Sequence, residues 1–170
     1  MMYLREICRE DLNEINKWRN DVNLIANLGA NYRYIGKEVD NKWFDNYLNN
    51  RSSNVRCAII YENKIVGVVY LTSIDYLNGN AEFHIMIGNN EYRGKGIGYF
   101  ATKEMLKHAF LNLNLNRVEL SVLSSNTNAI NLYTKVGFKE EGILKEKVFK
   151  QGKYVDLKIM AMLRKDFNNE

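Results

Sequence analysis

The chain has 170 residues, is 46% hydrophobic and carries a formal charge of +4. That length predicts a single domain spanning residues 1–170 with a substantial core, and the mild charge, with no basic run interleaved with aromatics, argues against nucleic acid as a partner. No apolar stretch approaches the roughly 18 residues of a membrane span, no N-terminal secretory segment is visible, and Cys8 and Cys57 match no metal or redox spacing. The expectations are therefore no membrane, no metal, and a reducing cytoplasmic setting with both thiols buried in strand-like segments.

Residues 2–8 read as a strand, and Asp11 is placed to cap a helix in which Leu12, Ile15 and Trp18 share a face. Over 22–37, Val22, Leu24, Ile25 and Leu28 suggest a short helix, and Gly29 to Gly36 a loop. A helix over 39–49 turns Trp43, Phe44, Tyr47 and Leu48 inward. Residues 55–61 form a strand, Glu62-Asn63-Lys64 turns the chain, and 65–74 pairs back as a hairpin. Asn78-Gly79 is a further turn signal before a strand over 81–87. A helix over 96–111, a strand over 117–123 and a helix over 127–136 follow, the last stopped by Gly137 as a left-handed cap. The closing hairpin runs 138–149, turns at Gln151-Gly152 and returns over 153–164. This order describes an α/β domain, a mixed central β-sheet flanked by helices with a C-terminal β-hairpin.

Between the strand at 81–87 and the long helix lies Tyr92-Arg93-Gly94-Lys95-Gly96-Ile97-Gly98. Three glycines at alternate positions remove side chains that would keep a ligand from the backbone. The loop feeds a helix whose first amides have no intrahelical acceptor, so it favours an anion such as a pyrophosphate, and Arg93 and Lys95 add positive charge. The alternative is a plain strand–helix connection with a tight turn. A nucleoside-triphosphate loop needs four residues between its first glycine and a Gly-Lys-Ser/Thr ending, and a dinucleotide fingerprint needs Gly-x-Gly-x-x-Gly; neither spacing is present.

The pattern Arg93-x-x-Gly96-x-Gly98 resembles the acetyl-coenzyme A pyrophosphate loop of the GNAT N-acetyltransferase superfamily, and the element order matches its fold. Further on, Asn126-x-x-Ala129-x-x-Leu132-Tyr133-x-Lys135-x-Gly137-Phe138 is similar to the segment in which GNAT enzymes carry their acid tyrosine. The resemblance covers about residues 65–165 well and the first sixty loosely. It implies an acetyl-CoA cosubstrate held by Arg93, Gly94, Lys95, Gly96, Ile97 and Gly98, by backbone groups of Ile85, Met86 and Ile87, and by Asn126 and Tyr133. It also implies Tyr133 as the acid that protonates the departing thiolate. An ordinary phenol near ~10 and a thiol near ~8.5 make that transfer reasonable. Without the flanking motif, Tyr133 would be packing on the sheet and Asn126 an N-cap for helix 127–136.

The attacking amine must lose a proton, and strand alternation puts Glu82, His84 and Met86 on one face. Glu82 is the first choice as base and His84 the second; otherwise both are polar positions on a half-exposed strand. The implied acceptor is a small-molecule primary amine, either an amino sugar or a polyamine. Residues 80–165 are most similar to bacterial spermidine and ribosomal-protein N-terminal acetyltransferases. The acidic loop of the polyamine branch is replaced by residues 27–34, with one Arg and no carboxylate. Lys17-Trp18-Arg19-Asn20 resembles GNAT enzymes acting on nucleotide-linked amino sugars, where Tyr32 and Tyr34 could stack a base or sugar or simply pack under the loop. A protein N-terminus or lysine as acceptor, a non-catalytic acetyl-CoA sensor, and a homodimer through the closing hairpin stay open as alternatives.

Overall fold

The structure is a computed structural model that describes residues 1–168. A seven-stranded sheet runs in the order β1-β2-β3-β4-β5-β7-β6. The first four strands, β1 (Met2–Glu6), β2 (Val55–Tyr61), β3 (Lys64–Asp75) and β4 (Asn80–Ile87), pair antiparallel in sequence order. β5 (Arg117–Leu123) joins β4 in parallel, and β7 (Lys153–Leu163) lies between β5 and the edge strand β6 (Lys139–Lys150), antiparallel to both. The sheet is therefore mixed at one seam. A parallel pair needs a crossover rather than a hairpin, and α4 (Ile97–Lys107) provides it.

Period-two alternation sends Val69, Leu71, Ala81 and Phe83 to the face covered by α4 and α5 (Thr127–Val136). There Ile97, Ala101, Met105 and Leu106 form the buried stripe of α4. The opposite face carries Ala58, Ile60, Val68, Tyr70 and Met86 under α1 (Leu12–Arg19) and α3 (Lys37–Asn49). Between those helices in the chain comes the short α2 (Val22–Ala26), capped by the Asp21 side chain, which accepts from the Asn23 and Leu24 amides.

Several expectations shift. The helix read over 96–111 ends as α4 at Lys107 and continues as a wider π turn over His108–Asn112, which keeps Ala109 and Phe110 buried. Asp11 does not cap α1. Its carboxylate accepts from the Cys8 amide (2.9 Å) and pairs with Arg5 (2.7 Å), ending β1 at Glu6 and starting a short turn at Arg9–Asp11. Leu48 is 45% exposed, because Phe44 and Tyr47 already fill the inward stripe of α3. Cys8 and Cys57 are half-buried, not buried.

Candidate active site

β4 and β5 pair only at Asn80↔Arg117, Ala81↔Val118 and Glu82↔Glu119. Beyond Glu82, β4 stays with β3 as far as Ile87↔Gly67, while β5 stays with β7 as far as Leu123↔Leu157. The two strands thus part into a wedge, and the β5-facing side of Ile85, Met86 and Ile87 has no partner strand. Such an edge inside a sheet is a template for hydrogen bonds from an extended ligand. At its far end Gly88 lies against the Trp18 indole so closely that a Cβ there would come within 2.0 Å of the ring.

The glycine loop follows. Gly94 and Gly96 both hold φ of +77°, a left-handed conformation that suits glycine, and a Cβ on either would meet only open space. Gly96 starts α4 with no side-chain cap, and the first backbone bond into it runs from the Phe100 amide to Gly96 (3.0 Å). The amides of Gly94, Lys95, Gly96, Ile97, Gly98 and Tyr99 donate to no other described residue. Gly98 departs from the reading that all three glycines clear space for a ligand. A Cβ there would sit 3.1 Å from Leu132, so Gly98 lets α5 approach α4. Lys95 places its ammonium over the Tyr61 and Tyr92 rings (5.7 and 5.4 Å). Arg93 lines a cleft of about 220 Å³ with Asp21, Asn27, Gly88 and Asn90.

Across the wedge, β5 leads to α5. Asn126 caps it, accepting from the Ala129 amide at 3.2 Å, and Gly137 closes it at φ +116°. The amide nitrogen of Asn126 donates to the Asn27 carbonyl at 3.0 Å, so α5 is tied to the loop after α2. Tyr133 is 8% exposed and meets Phe83 and Phe138 edge-on, with centroids 6.2 and 5.8 Å away. Its hydroxyl has no hydrogen-bond partner among the described residues, and burial pushes the phenol up to about 12.

On the opposite face of β4, Glu82 and His84 have side chains 51% and 52% exposed. The His84 Nε2 lies 2.9 Å from the Thr72 hydroxyl and 3.7 Å from a Glu82 oxygen. Partial burial draws the imidazole below its usual value; Glu82 opposes that shift and Arg56 adds to it. Strand register extends this face into a row, Arg56↔Tyr70↔His84, with Thr72↔Glu82 beside it. Sequence reasoning missed Arg56, Tyr70 and Thr72. The hairpin turn at Glu62-Asn63-Lys64 fixes the register that aligns them, but nothing in the string marks Arg56 as other than a strand residue.

The loop ahead of α3 is held from three sides. Asn20 donates to the Ile35 carbonyl (2.9 Å), Tyr32 reaches the Asn20 carbonyl (3.4 Å), and Lys150 donates to the Ile25 (3.1 Å) and Ala30 carbonyls. Tyr32 and Tyr34 meet edge to face at 5.5 Å, with Tyr34 91% exposed. Tyr133 and Glu82 therefore stand on opposite faces of the sheet, and the wedge between β4 and β5 is where those faces communicate. Among the described residues no group of His, Cys, Asp or Glu is arranged to hold a metal, and no helix is long and apolar enough to cross a membrane.

Residues 2–139 match the family model described as an acetyltransferase (GNAT) domain. The chain is 31% identical over 165 residues to a spermidine N(1)-acetyltransferase of Vibrio cholerae, covering 89% of this chain and 92% of that one. A shorter match, 32% over 84 residues, covers 49% of this chain and 51% of an L-amino acid N-acetyltransferase of Escherichia coli. The crystal structure of spermidine N-acetyltransferase from Vibrio cholerae in complex with CoA and spermine superposes with a TM-score of 0.91 at 30% identity, covering 97% and 96% of the two chains.

Proposed function

The chain belongs to the GNAT acetyltransferase family, and on that footing we propose that it moves the acetyl group of acetyl-CoA directly onto a primary amine of a small molecule, a polyamine or an amino sugar. The polyamine comes from what its relatives act on; the amino sugar comes from Lys17-Trp18-Arg19-Asn20 and a loop without carboxylates. The observation that carries the reading is the wedge: an unpaired strand edge running from a loop of free amides to a buried phenol.

The amides from Gly94 to Tyr99, with Arg93 and Lys95, suit the diphosphate of the cosubstrate. The free edge at Ile85, Met86 and Ile87 suits the amides of its pantetheine arm, and a backbone amide there would polarise the thioester carbonyl. Tyr133 then protonates the departing sulfur. A phenol near 12 stays protonated at neutral pH, so Tyr133 holds the proton it would donate. Glu82 is the base, directly or through water, because its carboxylate makes no hydrogen bond among the described residues whereas His84 is engaged by Thr72. Asn126 supports the site by tying α5 to Asn27, and its nitrogen must exchange partners to reach the cosubstrate.

This reading takes residues 1–170 as one acetyltransferase domain, cytoplasmic, with no part for nucleic acid, membrane or metal. The exposed Ile143, Leu144 and Phe149 on the edge strand β6 make the closing hairpin the candidate homodimer contact. The test is an acceptor screen that follows free thiol release from acetyl-CoA with polyamines, amino sugars, amino acids and N-terminal peptides. Release with the small amines supports the reading, and release with peptides alone would move it to protein acetylation. Cosubstrate binding without release from any amine would make the protein a sensor.

A further inference from the structure

The α1/α3 face of the sheet contains many charges, and its most buried carboxylates are matched. Asp11 is paired with Arg5, Glu6 with Arg51, and Asp40 with Arg19. Two groups on the row beside the wedge stand apart. Glu82 meets no cation but His84. Arg56 forms no ion pair among the described residues, and its Nε is buried with no hydrogen-bond partner.

Buried donors of that kind are rare, because losing water without gaining an acceptor is costly. Arg56 is also fixed in place. Its guanidinium lies 4.7 Å from the Tyr70 ring centroid, 5.0 Å from Trp43 and 5.8 Å from Tyr47. Burial draws it below the usual arginine value. Tyr70 separates it from His84, which puts Arg56 two strand spacings, about 10 Å, from the catalytic side of β4.

From this we infer that the acceptor carries an oxyanion, a carboxylate or a phosphate, at a distance from its amine, and that Arg56 is the residue that binds it. The inference rests on the acetyl transfer proposed above and narrows its small-molecule primary amine to one that also bears an anion. On the row beside the wedge, the Arg56 guanidinium has no carboxylate and the Glu82 carboxylate meets only His84, the complement of a molecule with an ammonium at one end and an oxyanion at the other. A polyamine is the wrong partner for this pair. Its second ammonium would meet an aromatic cage already filled by the protein's own cation. A planar guanidinium presents a fork that fits a carboxylate or a phosphate, which is why an arginine is suited to this place.

The test compares acceptors matched in length and differing at the far end: 6-aminohexanoate against 1,6-diaminohexane, and glucosamine 6-phosphate against glucosamine. The first pair reports on carboxylate, the second on phosphate. In the wild-type protein the oxyanion-bearing member of at least one pair should have a kcat/KM higher by tenfold or more. Arg56→Met should abolish that preference through KM, and Arg56→Lys, which keeps the charge and loses the fork, should retain part of it. A circular dichroism spectrum matching wild type shows that the variants fold. A wild-type preference for the diamine and for plain glucosamine would overturn the inference, as would an Arg56→Met variant that weakens all four acceptors equally. Calorimetric titration of the CoA-loaded wild-type protein with 6-aminohexanoate and 1,6-diaminohexane decides the point without turnover. The same titration with glucosamine 6-phosphate against glucosamine covers the phosphate; a preference for the oxyanion-bearing member of either pair that Arg56→Met loses supports Arg56 as the oxyanion site even if acetyl transfer fails, and no preference in either pair removes it.

Discussion

The face of the sheet under α4 and α5 is almost wholly apolar, with Ile97, Ala101, Met105, Leu106 and Phe110 closing over Val69, Leu71 and Phe83. The face under α1 and α3 mixes Trp18, Phe44 and Tyr47 with arginines and carboxylates, from the Arg5–Asp11 and Arg19–Asp40 pairs to the unmatched Arg56. The contrast teaches that support and selection are built from different chemistry. Apolar packing is non-directional and tolerates no voids, so it makes a rigid seat for the glycine loop and Tyr133. Charges taken from water demand specific partners, so a group left unmatched on such a face points to a ligand.

If that division is right, substitutions on the two faces should fail in different ways. The largest effect belongs to Tyr133→Phe. Removing the phenolic proton should lower kcat by about 10²–10⁴ while CoA affinity is unchanged, measured by thiol release and calorimetry. A loss under tenfold would break the assignment of the acid to the α4/α5 face. Next is Phe110→Ala, fully buried in the π turn. It should cost about 3–5 kcal/mol in urea unfolding and leave the ranking of acceptors as it was. Gly96→Ala should cost about 1–2 kcal/mol, because its φ of +77° is strained for any residue with a Cβ, and should also weaken CoA binding.

Asn126→Ala comes lower, at about 0.5–2 kcal/mol for the lost cap, with faster proteolysis of the 27–34 loop as the sign that the tie to Asn27 is gone. The smallest effect is on the α1/α3 face. His84 is held below its ordinary value of about 6.5, so between its native value and that figure the unfolded chain binds more protons than the folded one. Stability from neutral His84 is therefore present above about pH 6.5 and lost as pH falls below it. His84→Gln should flatten that part of the curve of urea midpoint against pH. An unchanged slope would mean that burial of the imidazole is not what shifts it.

Much of this was legible in the sequence because local periodicity and turn chemistry are strong signals here. Glu62-Asn63-Lys64 and Asn78-Gly79 marked the hairpin turns, Gly137 stopped α5, and the helical spacing placed Tyr133 on α5. The missed features have one cause. Gly98, Asp11, Leu48 and the side-chain nitrogen of the N-cap Asn126 each took a role set by a neighbour distant in sequence or by competition for a place: Leu132 across a helix contact, Arg5, an inward stripe already filled by Phe44 and Tyr47, and the Asn27 carbonyl.

By itself, then, the sequence determined the order of strands and helices, the glycine loop ahead of α4 and the place of Tyr133 on α5, since these follow from spacing along the chain. Only the tertiary structure decided where β4 leaves β5, which face each polar residue occupies, and that Arg56, alone of the arginines around Trp43, has no carboxylate. Pairing and desolvation are properties of what surrounds a group in space, and one-dimensional order does not contain them.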